Sequence, residues 1–110
     1  MTTYIAIGNK PDNAYAPLSE EVYLFYSAEL DKYIDFWQGE FVWTEFPTFY
    51  TKKSGIEVAM ENGNLDKFVR ETIGWEEVTL VPATMYFADM NGRATSVFME
   101  TDFTEATAAL

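Results

Sequence analysis

The sequence predicts an α+β fold in which two helices pack on one face of an antiparallel sheet. Strand-like and helix-like periodicities follow one another in the order β-α-β-β-α-β, which is the order of ferredoxin-like folds. An Asn-Gly pair between two later strand-like runs adds an extra C-terminal hairpin strand. A chain of 110 residues, 48% of them hydrophobic, can bury a core without cross-links. We therefore expect a single domain over residues 1–110.

The first third of the chain predicts a strand, a loop and a long helix. Residues 3–8 (TYIAIG) are typical of a buried strand, and the Asn- and Pro-containing residues 9–18 indicate a loop. Ser19 is a typical N-cap for a helix over residues 20–38, and Gly39 is typical of the position after a helix end. At about 100° per residue, the apolar side chains gather on one helix face: Val22, Tyr23, Tyr26, Leu30, Tyr33, Ile34 and Trp37.

The next part predicts two strands joined by a turn. Residues 40–46 (EFVWTEF) favour a strand, Pro47 interrupts it, and residues 49–51 can resume it. The KKSG sequence at residues 52–55 is typical of a turn. Residues 56–61 alternate apolar with mostly polar side chains, which predicts a strand with one buried face.

The following residues predict a short helix and then β-structure. Asn64 can cap a helix over residues 65–73, and Gly74 ends that helix. The inner stripe of the helix is Leu65, Phe68, Val69 and Thr72. Residues 75–88 are rich in strand formers, and Pro82 predicts an edge, a bulge or a bend among them.

Two features mark the C-terminal end. Asn91-Gly92 lies between two strand-like runs, residues 85–87 and 94–99, and predicts a two-residue hairpin turn. The small and polar residues 103–110 predict a frayed tail.

The charge balance and the missing residue types limit the function. The chain has 18 acidic and seven basic residues, with a net charge of −11, and this surface repels nucleic acid and anionic membranes and attracts basic partners. Cys and His are both absent, which removes thiolate chemistry, the commonest metal ligand and the usual general base near neutral pH. We therefore expect a binding protein with no cofactor. The sequence predicts no signal peptide and no membrane span, so we expect a cytoplasmic protein.

Acidic residues of the predicted first helix form the densest candidate binding surface: Glu20, Glu21, Glu29, Asp31 and Asp35. This face could dock on a basic groove, and in its sharpest form it would mimic the phosphates of DNA. Lys32 interrupts the set, and the alternative is a solvated outer helix face. Glu76 and Glu77 are a second acidic spot, but adjacent strand residues point to opposite faces and cannot act as a catalytic pair.

Three further acids and one polar triplet have structural interpretations. The acids Glu57, Glu61 and Glu100 are predicted to line the open sheet face or a sheet edge, where charge prevents aggregation. The triplet Asn62-Gly63-Asn64 precedes a helix and could accept an anion, but a helix cap is the favoured interpretation.

Aromatic residues are abundant, with nine Phe, seven Tyr and three Trp. They are crowded near the end of the predicted first helix and in the next strand: Phe25, Phe36, Trp37, Trp43, Phe46, Phe49 and Tyr50. They form either an aromatic core or an exposed interface beside acidic groups. Phe49 and Tyr50 follow Pro47, so we predict that they are exposed and contact the partner.

Two stretches resemble small uncharacterised proteins of tailed bacteriophages. The first is TYIAIGN, followed by a Pro- and Asp-rich loop and a predicted amphipathic helix. The second is FVWTEFPTFYTKKSGIEVAMENGNLDKFVRETIGWEEV. The resemblance covers about two thirds of the chain and implies a phage origin. It implies no activity and no site residues.

The leading hypothesis is a non-enzymatic, phage-encoded protein that occupies a basic surface of a host protein, such as a nuclease or a defence factor, and inhibits it. One alternative is a protein that binds or sequesters a small molecule through the aromatic cluster, with nucleotides disfavoured by the shortage of bases. A second is an enzyme that uses carboxylates and a hard metal such as Mg²⁺ or Ca²⁺. A third is a structural oligomer or homodimer formed through the open sheet face.

Overall fold

A computed structural model describes residues 4–8, 18–90 and 93–110, with side chains at 19–86 and 99–110. The strands are β1 Tyr4–Gly8, β2 Leu18–Ser27, β3 Lys32–Trp37, β4 Glu40–Thr44, β5 Thr79–Met90, β6 Arg93–Asp102 and β7 Thr107–Ala108. The helices are α1 Ile56–Glu61 and α2 Gly63–Thr72, and short 3-10 turns occupy Lys53–Gly55, Trp75–Glu77 and Phe103–Glu105. No helix among these residues is long and apolar enough to cross a membrane.

The described strands form one antiparallel sheet. Their order is β1-β6-β5-β2-β3-β4, and the short β7 pairs with β5. The α+β class and the antiparallel sheet are therefore confirmed. The ferredoxin-like topology is not confirmed, because the strand order differs and both helices follow β4.

The prediction of a long helix over residues 20–38 is wrong, because this segment forms β2, a turn and β3. In the helical arrangement Leu24 falls on the polar side, yet it is fully buried. Residues 22–26 (VYLFY) are uninterrupted apolar and aromatic residues, and a strand buried on both faces has this pattern. Ser19 accordingly lies within β2 and does not cap a helix.

A two-residue turn joins β3 to β4 at the place where the long helix was predicted to end. Gln38 and Gly39 both have positive φ, 50° and 81°, as a type I′ hairpin turn requires. Trp37 pairs with Glu40 across this turn. The prediction that Gly39 follows a helix end is therefore wrong, although that position and this hairpin turn both favour Gly with positive φ.

The prediction of a strand over residues 56–61 is also wrong, since these residues form α1. Ile56, Ala59 and Met60 pack against the core at the spacing of one helix face, while Glu57 and Val58 are exposed. Six residues fit both an alternating and a helical pattern, and Ala, Met and Glu favour the helix.

Helix α2 confirms the predicted second helix and corrects its cap. Asn62, two residues before the predicted cap Asn64, accepts hydrogen bonds from the N–H groups of Asn64 and Leu65 at 3.0 and 3.1 Å. The favoured interpretation of the Asn-Gly-Asn triplet as a cap is therefore confirmed. Gly74 has φ of 86° just after the helix, as expected of a residue that ends one.

Pro82 lies inside β5 at a gap in the pairing on one side. On that side β7 pairs with Thr79 and Leu80, and β6 pairs from Ala83 onward. On the other side Pro82 faces Tyr23, whose own N–H and C=O both bond to Thr51. Neither side needs an N–H from Pro82. The predicted edge therefore exists on one side of Pro82 only, and the bulge of β5 lies between Tyr86 and Phe87.

The C-terminal part forms a hairpin and a return to β5. β5 and β6 pair through Met90 and Arg93, while the predicted turn residues Asn91 and Gly92 lie outside the described residues, as does the predicted loop over residues 9–17. Residues 103–110, for which the sequence predicts fraying, form a 3-10 turn and β7 in the structure.

Hydrophobic clusters lie on both faces of the sheet. The helix-side face, against which α1 and α2 pack, has the buried residues Phe25, Ile34, Leu65, Val69, Trp75, Val78 and Leu80. The opposite face has the buried residues Val22, Leu24, Tyr33, Ala83, Met85 and Met99. The prediction of an open second face is therefore wrong for these strands, because their side chains on that face are buried within the chain itself.

Candidate functional site

The five acidic residues of the predicted helix face do not share one face in the structure. Glu20 and Glu21 are neighbours in β2 and point to opposite sides of the sheet. Glu29 and Asp31 lie in the turn between β2 and β3, and Asp35 lies within β3. The structure therefore replaces one predicted acidic surface with several separate positions.

Three of these acids have intramolecular partners. Glu20 forms an ion pair with Lys52, with 2.6 Å between Oε1 and Nζ, and its hydrogen bond and charge raise the pKa of Lys52. Asp31 accepts a hydrogen bond from the Tyr26 hydroxyl. Burial, followed by this hydrogen bond, raises the pKa of Tyr26 to about 12. Both carboxylates thus have partners within the chain.

The prediction that Asp35 belongs to an exposed acidic surface is wrong, because this residue is only 6% exposed. Its Oδ1 accepts hydrogen bonds from the Phe36 N–H at 2.8 Å and from the Thr48 hydroxyl at 3.1 Å. The second bond ties the segment after β4 back to β3. Asp35 is therefore a structural residue that a partner cannot reach.

Four other carboxylates line one shallow concavity, which we call the acidic groove: Glu21, Glu100, Asp102 and Glu105. Glu21 pairs with Thr84 across β2 and β5, and Thr84 pairs with Glu100 across β5 and β6. Directly paired residues point to the same face, so Glu21, Thr84 and Glu100 form one row across three strands on the helix-side face. The groove has a volume of about 370 Å³.

The C-terminal turn brings the fourth carboxylate to the groove. Asp102 accepts a hydrogen bond from the Thr104 N–H at 3.0 Å, which starts the 3-10 turn after β6. Phe103 packs on the opposite side of the sheet, edge-on to Tyr26 with 5.0 Å between the ring centroids. Glu105 then reaches the groove two residues later. The ring of Phe103 thus anchors the turn that carries Glu105.

The lining of the groove consists of acidic and neutral residues, with no base among them: Glu21, Val22, Tyr23, Pro82, Ala83, Thr84, Glu100, Asp102 and Glu105. The described part of the chain holds no group of three or more acidic residues placed to bind one metal ion. The four carboxylates are therefore spread along one surface and are not gathered around one point.

The remaining predicted acids lie elsewhere. Glu76 and Glu77 are exposed in a 3-10 turn, not in a strand. Glu57 and Glu61 are exposed on α1, which corrects their predicted position on the sheet. Glu100 lies on the helix-side face of β6, between β1 and β5, and not on an open face or at an edge as predicted.

The two aromatic residues predicted to contact a partner behave differently. Phe49 packs in the core, with its ring 6.0 Å from that of Phe25 and 5.6 Å from that of Phe41. Tyr50 is 37% exposed. Other aromatic residues of the predicted cluster are more exposed than Tyr50: Phe36, Trp37 and Phe46.

Sequence reasoning missed Asp102 and Glu105 because both lie at the border of the predicted tail. The available signal was the spacing of Glu100 and Asp102, since residues two apart in a strand share a face. Glu21 joins Glu100 and Asp102 only through the pairing of β2 with β5. This pairing could not be predicted, because the sequence predicts a helix over residues 20–38.

Comparisons with known proteins give no relative. No family model, no curated protein and no solved structure matches this chain.

Proposed function

We propose that this protein is a non-enzymatic acidic binding module that occupies a basic surface of another protein through the acidic groove. The observation that carries the proposal is the row of Glu21 and Glu100 across three strands, joined by Asp102 and Glu105 in one concavity without a lining base. A net charge of −11 would speed the encounter with a basic partner.

Among the described residues two ion pairs are formed, Lys52–Glu20 and Arg70–Asp66, and neither lies in the groove. Lys or Arg side chains of a partner would form charge-assisted hydrogen bonds with the groove carboxylates. The same charges would disfavour nucleic acid and anionic membrane as direct ligands.

The resemblance of two stretches to phage proteins supports a host protein, such as a nuclease or a defence factor, as the partner that the module inhibits. DNA mimicry in its predicted form depended on one helix face with four acids and Glu29 on its flank, and that helix is absent. The proposal therefore rests on the groove and on the overall charge.

Affinity for an oligoarginine peptide, measured by fluorescence anisotropy over a range of NaCl concentrations, tests this function. The groove variant is Glu21→Gln/Glu100→Gln/Glu105→Gln, which leaves the turn-capping Asp102 in place. Three ion pairs of about 0.5 kcal/mol each amount to roughly 1.5 kcal/mol, or about a tenfold loss of affinity. We expect this loss, together with a weaker dependence of affinity on salt.

The matched control is Glu57→Gln/Glu61→Gln/Glu71→Gln, which removes the same charge from exposed positions on the two helices. We expect a loss of less than about threefold, since only long-range attraction changes. Equal losses in the two variants would show that binding follows net charge alone, and the groove proposal would be rejected.

A further inference from the structure

A second concavity, which we call the α1 cavity, differs from the acidic groove in its chemistry. It lies between α1, the start of α2, β4 and the segment that follows Pro47, and its volume is about 400 Å³. The lining residues are Phe41, Phe49, Tyr50, Thr51, Gly55, Val58, Ala59, Asn62 and Leu65. Volumes of roughly 300–1,000 Å³ with mainly apolar walls are usual for sites of small organic ligands.

The walls of the α1 cavity contain no charged side chain, although 23% of the residues in the chain are charged. An anionic ligand would find no lining base, and its charge would be repelled by the net charge of the protein. A cationic ligand would find no lining carboxylate and would lose its hydration without compensation. The lining therefore selects a neutral molecule.

Few polar groups in the wall remain available to a ligand. The Asn62 Oδ1 already accepts two backbone N–H groups of α2. The Thr51 hydroxyl donates to the Lys52 carbonyl at 3.1 Å. The Asn62 amide NH₂ and the Tyr50 hydroxyl are the side-chain donors left among the lining residues, and they suit a ligand with one acceptor atom.

Two phenyl rings shape the floor of the cavity. Phe41 and Phe49 meet edge to face, with 5.6 Å between their centroids and 81° between their planes. A planar ring placed against such a pair can repeat the edge-to-face or offset geometry that aromatic groups prefer. The buried Leu65 completes an apolar wall.

Helix α1 borders the cavity and packs against the core with side chains that are only partly buried. Four of its six residues are apolar, yet none is buried, and Val58 is 71% exposed beside the cavity. Tyr50 is exposed at the same concavity. An apolar ligand between these side chains and the phenyl rings would remove their exposed surface from water, which is worth about 25 cal/mol per Å².

We propose that the α1 cavity binds a neutral small molecule with one or two aromatic rings. The ring packs against Phe41 and Phe49, and Val58 and Tyr50 cover its outer side. This site is separate from the acidic groove and does not depend on the protein-binding function.

Binding of the neutral fluorophore N-phenyl-1-naphthylamine to the purified protein tests this proposal. We expect a saturable rise in fluorescence with wild type. Ala59→Phe fills the cavity, and we expect it to weaken binding at least about tenfold. The control Glu57→Phe adds the same ring to α1 at an exposed position outside the lining, and we expect an affinity within about twofold of wild type.

A second variant and a second measurement keep the proposal testable if Ala59→Phe fails to fold. Val58→Gln removes an exposed apolar side chain and should weaken binding about threefold. In methyl NMR spectra the fluorophore should shift Val58, Ala59 and Leu65 and leave Val22 and Val81 unchanged. The proposal is overturned if wild type shows no saturable binding, if Ala59→Phe and Val58→Gln bind as well as Glu57→Phe, or if the shifts occur at Val22 and Val81.

Discussion

The acidic groove and the α1 cavity lie on the same face of one sheet and have opposite chemistry. The groove lies on β2, β5 and β6 and collects four carboxylates. The cavity lies where α1, α2 and β4 meet, and its lining contains no charged group. Acidic and apolar residues both occur in segments that form the two regions, so composition alone does not separate them. The strand pairing and the position of the helices do.

The difference shows that the acidic character of this chain is organised by the sheet. Helices cover the helix-side face at one end, and apolar side chains there meet each other. At the other end, neighbouring strands bring Glu21 and Glu100 into one row through Thr84. One region is thus suited to a cationic protein surface and the other to a neutral ring.

The largest expected effect is a difference in the free energy of unfolding between a variant of the α1 cavity and a variant of the acidic groove. Leu65→Ala removes a buried wall of the α1 cavity and should lower the free energy of unfolding by about 2–5 kcal/mol. Thr84→Ala changes the floor of the groove, which is partly exposed, and should cost less than about 0.5 kcal/mol. Urea unfolding of both variants measures the contrast. Similar losses would indicate that the groove floor is part of the core.

A smaller effect is expected at Asp66, which supports the helices on the cavity side. Its carboxylate accepts hydrogen bonds from Arg70 Nε and from Trp75 Nε1, both at 2.8 Å, and these bonds lower the pKa of Asp66. A lowered pKa gives stability that is present above the ordinary value of 3.8 and is lost as pH falls through the folded value. Asp66→Asn should lower Tm at pH 7 and flatten the acid limb of the Tm curve. An unchanged acid limb would contradict this role.

Tyr26 supports the groove from the other side of the sheet, through its contact with Phe103. Its pKa is raised from 10.0 to about 12, so its contribution is complete below pH 10 and is lost as pH rises toward 12. Tyr26→Phe keeps the ring, removes the hydrogen bond to Asp31 and should cost about 1 kcal/mol at pH 7. The unfolding free energy of the variant should fall less between pH 10 and 12 than that of wild type. Parallel curves would contradict the assignment.

The smallest expected effect is a gain in stability from neutralising the groove. Glu100→Gln removes one of the four carboxylates that line the groove of this strongly acidic chain and should stabilise the protein by about 0.5 kcal/mol at low salt. The same change at Glu57, which lies outside both concavities, should have less effect. Thermal unfolding at low and high salt measures this difference. A loss of stability in Glu100→Gln would mean that the carboxylate has a structural partner.

The sequence predicts the α+β class, β1, β4, α2 and the interruption at Pro82. It fails between residues 20 and 38, because a strand buried on both faces has apolar residues at every position and these also satisfy a helical stripe. The groove could not be predicted for the same reason, since Glu21 joins Glu100 only through the β2–β5–β6 pairing. The α1 cavity could not be predicted either, because the alternation of residues 56–61 predicts a strand where the structure has α1.

The most direct test of the central claim is a map of amide chemical shifts of the labelled wild-type protein during titration with the oligoarginine peptide. We expect the largest changes at Glu21, Thr84, Glu100 and Glu105, and no change in α1. Changes concentrated on Glu57, Val58 and Glu61, or spread evenly over all exposed acids, would contradict the central claim.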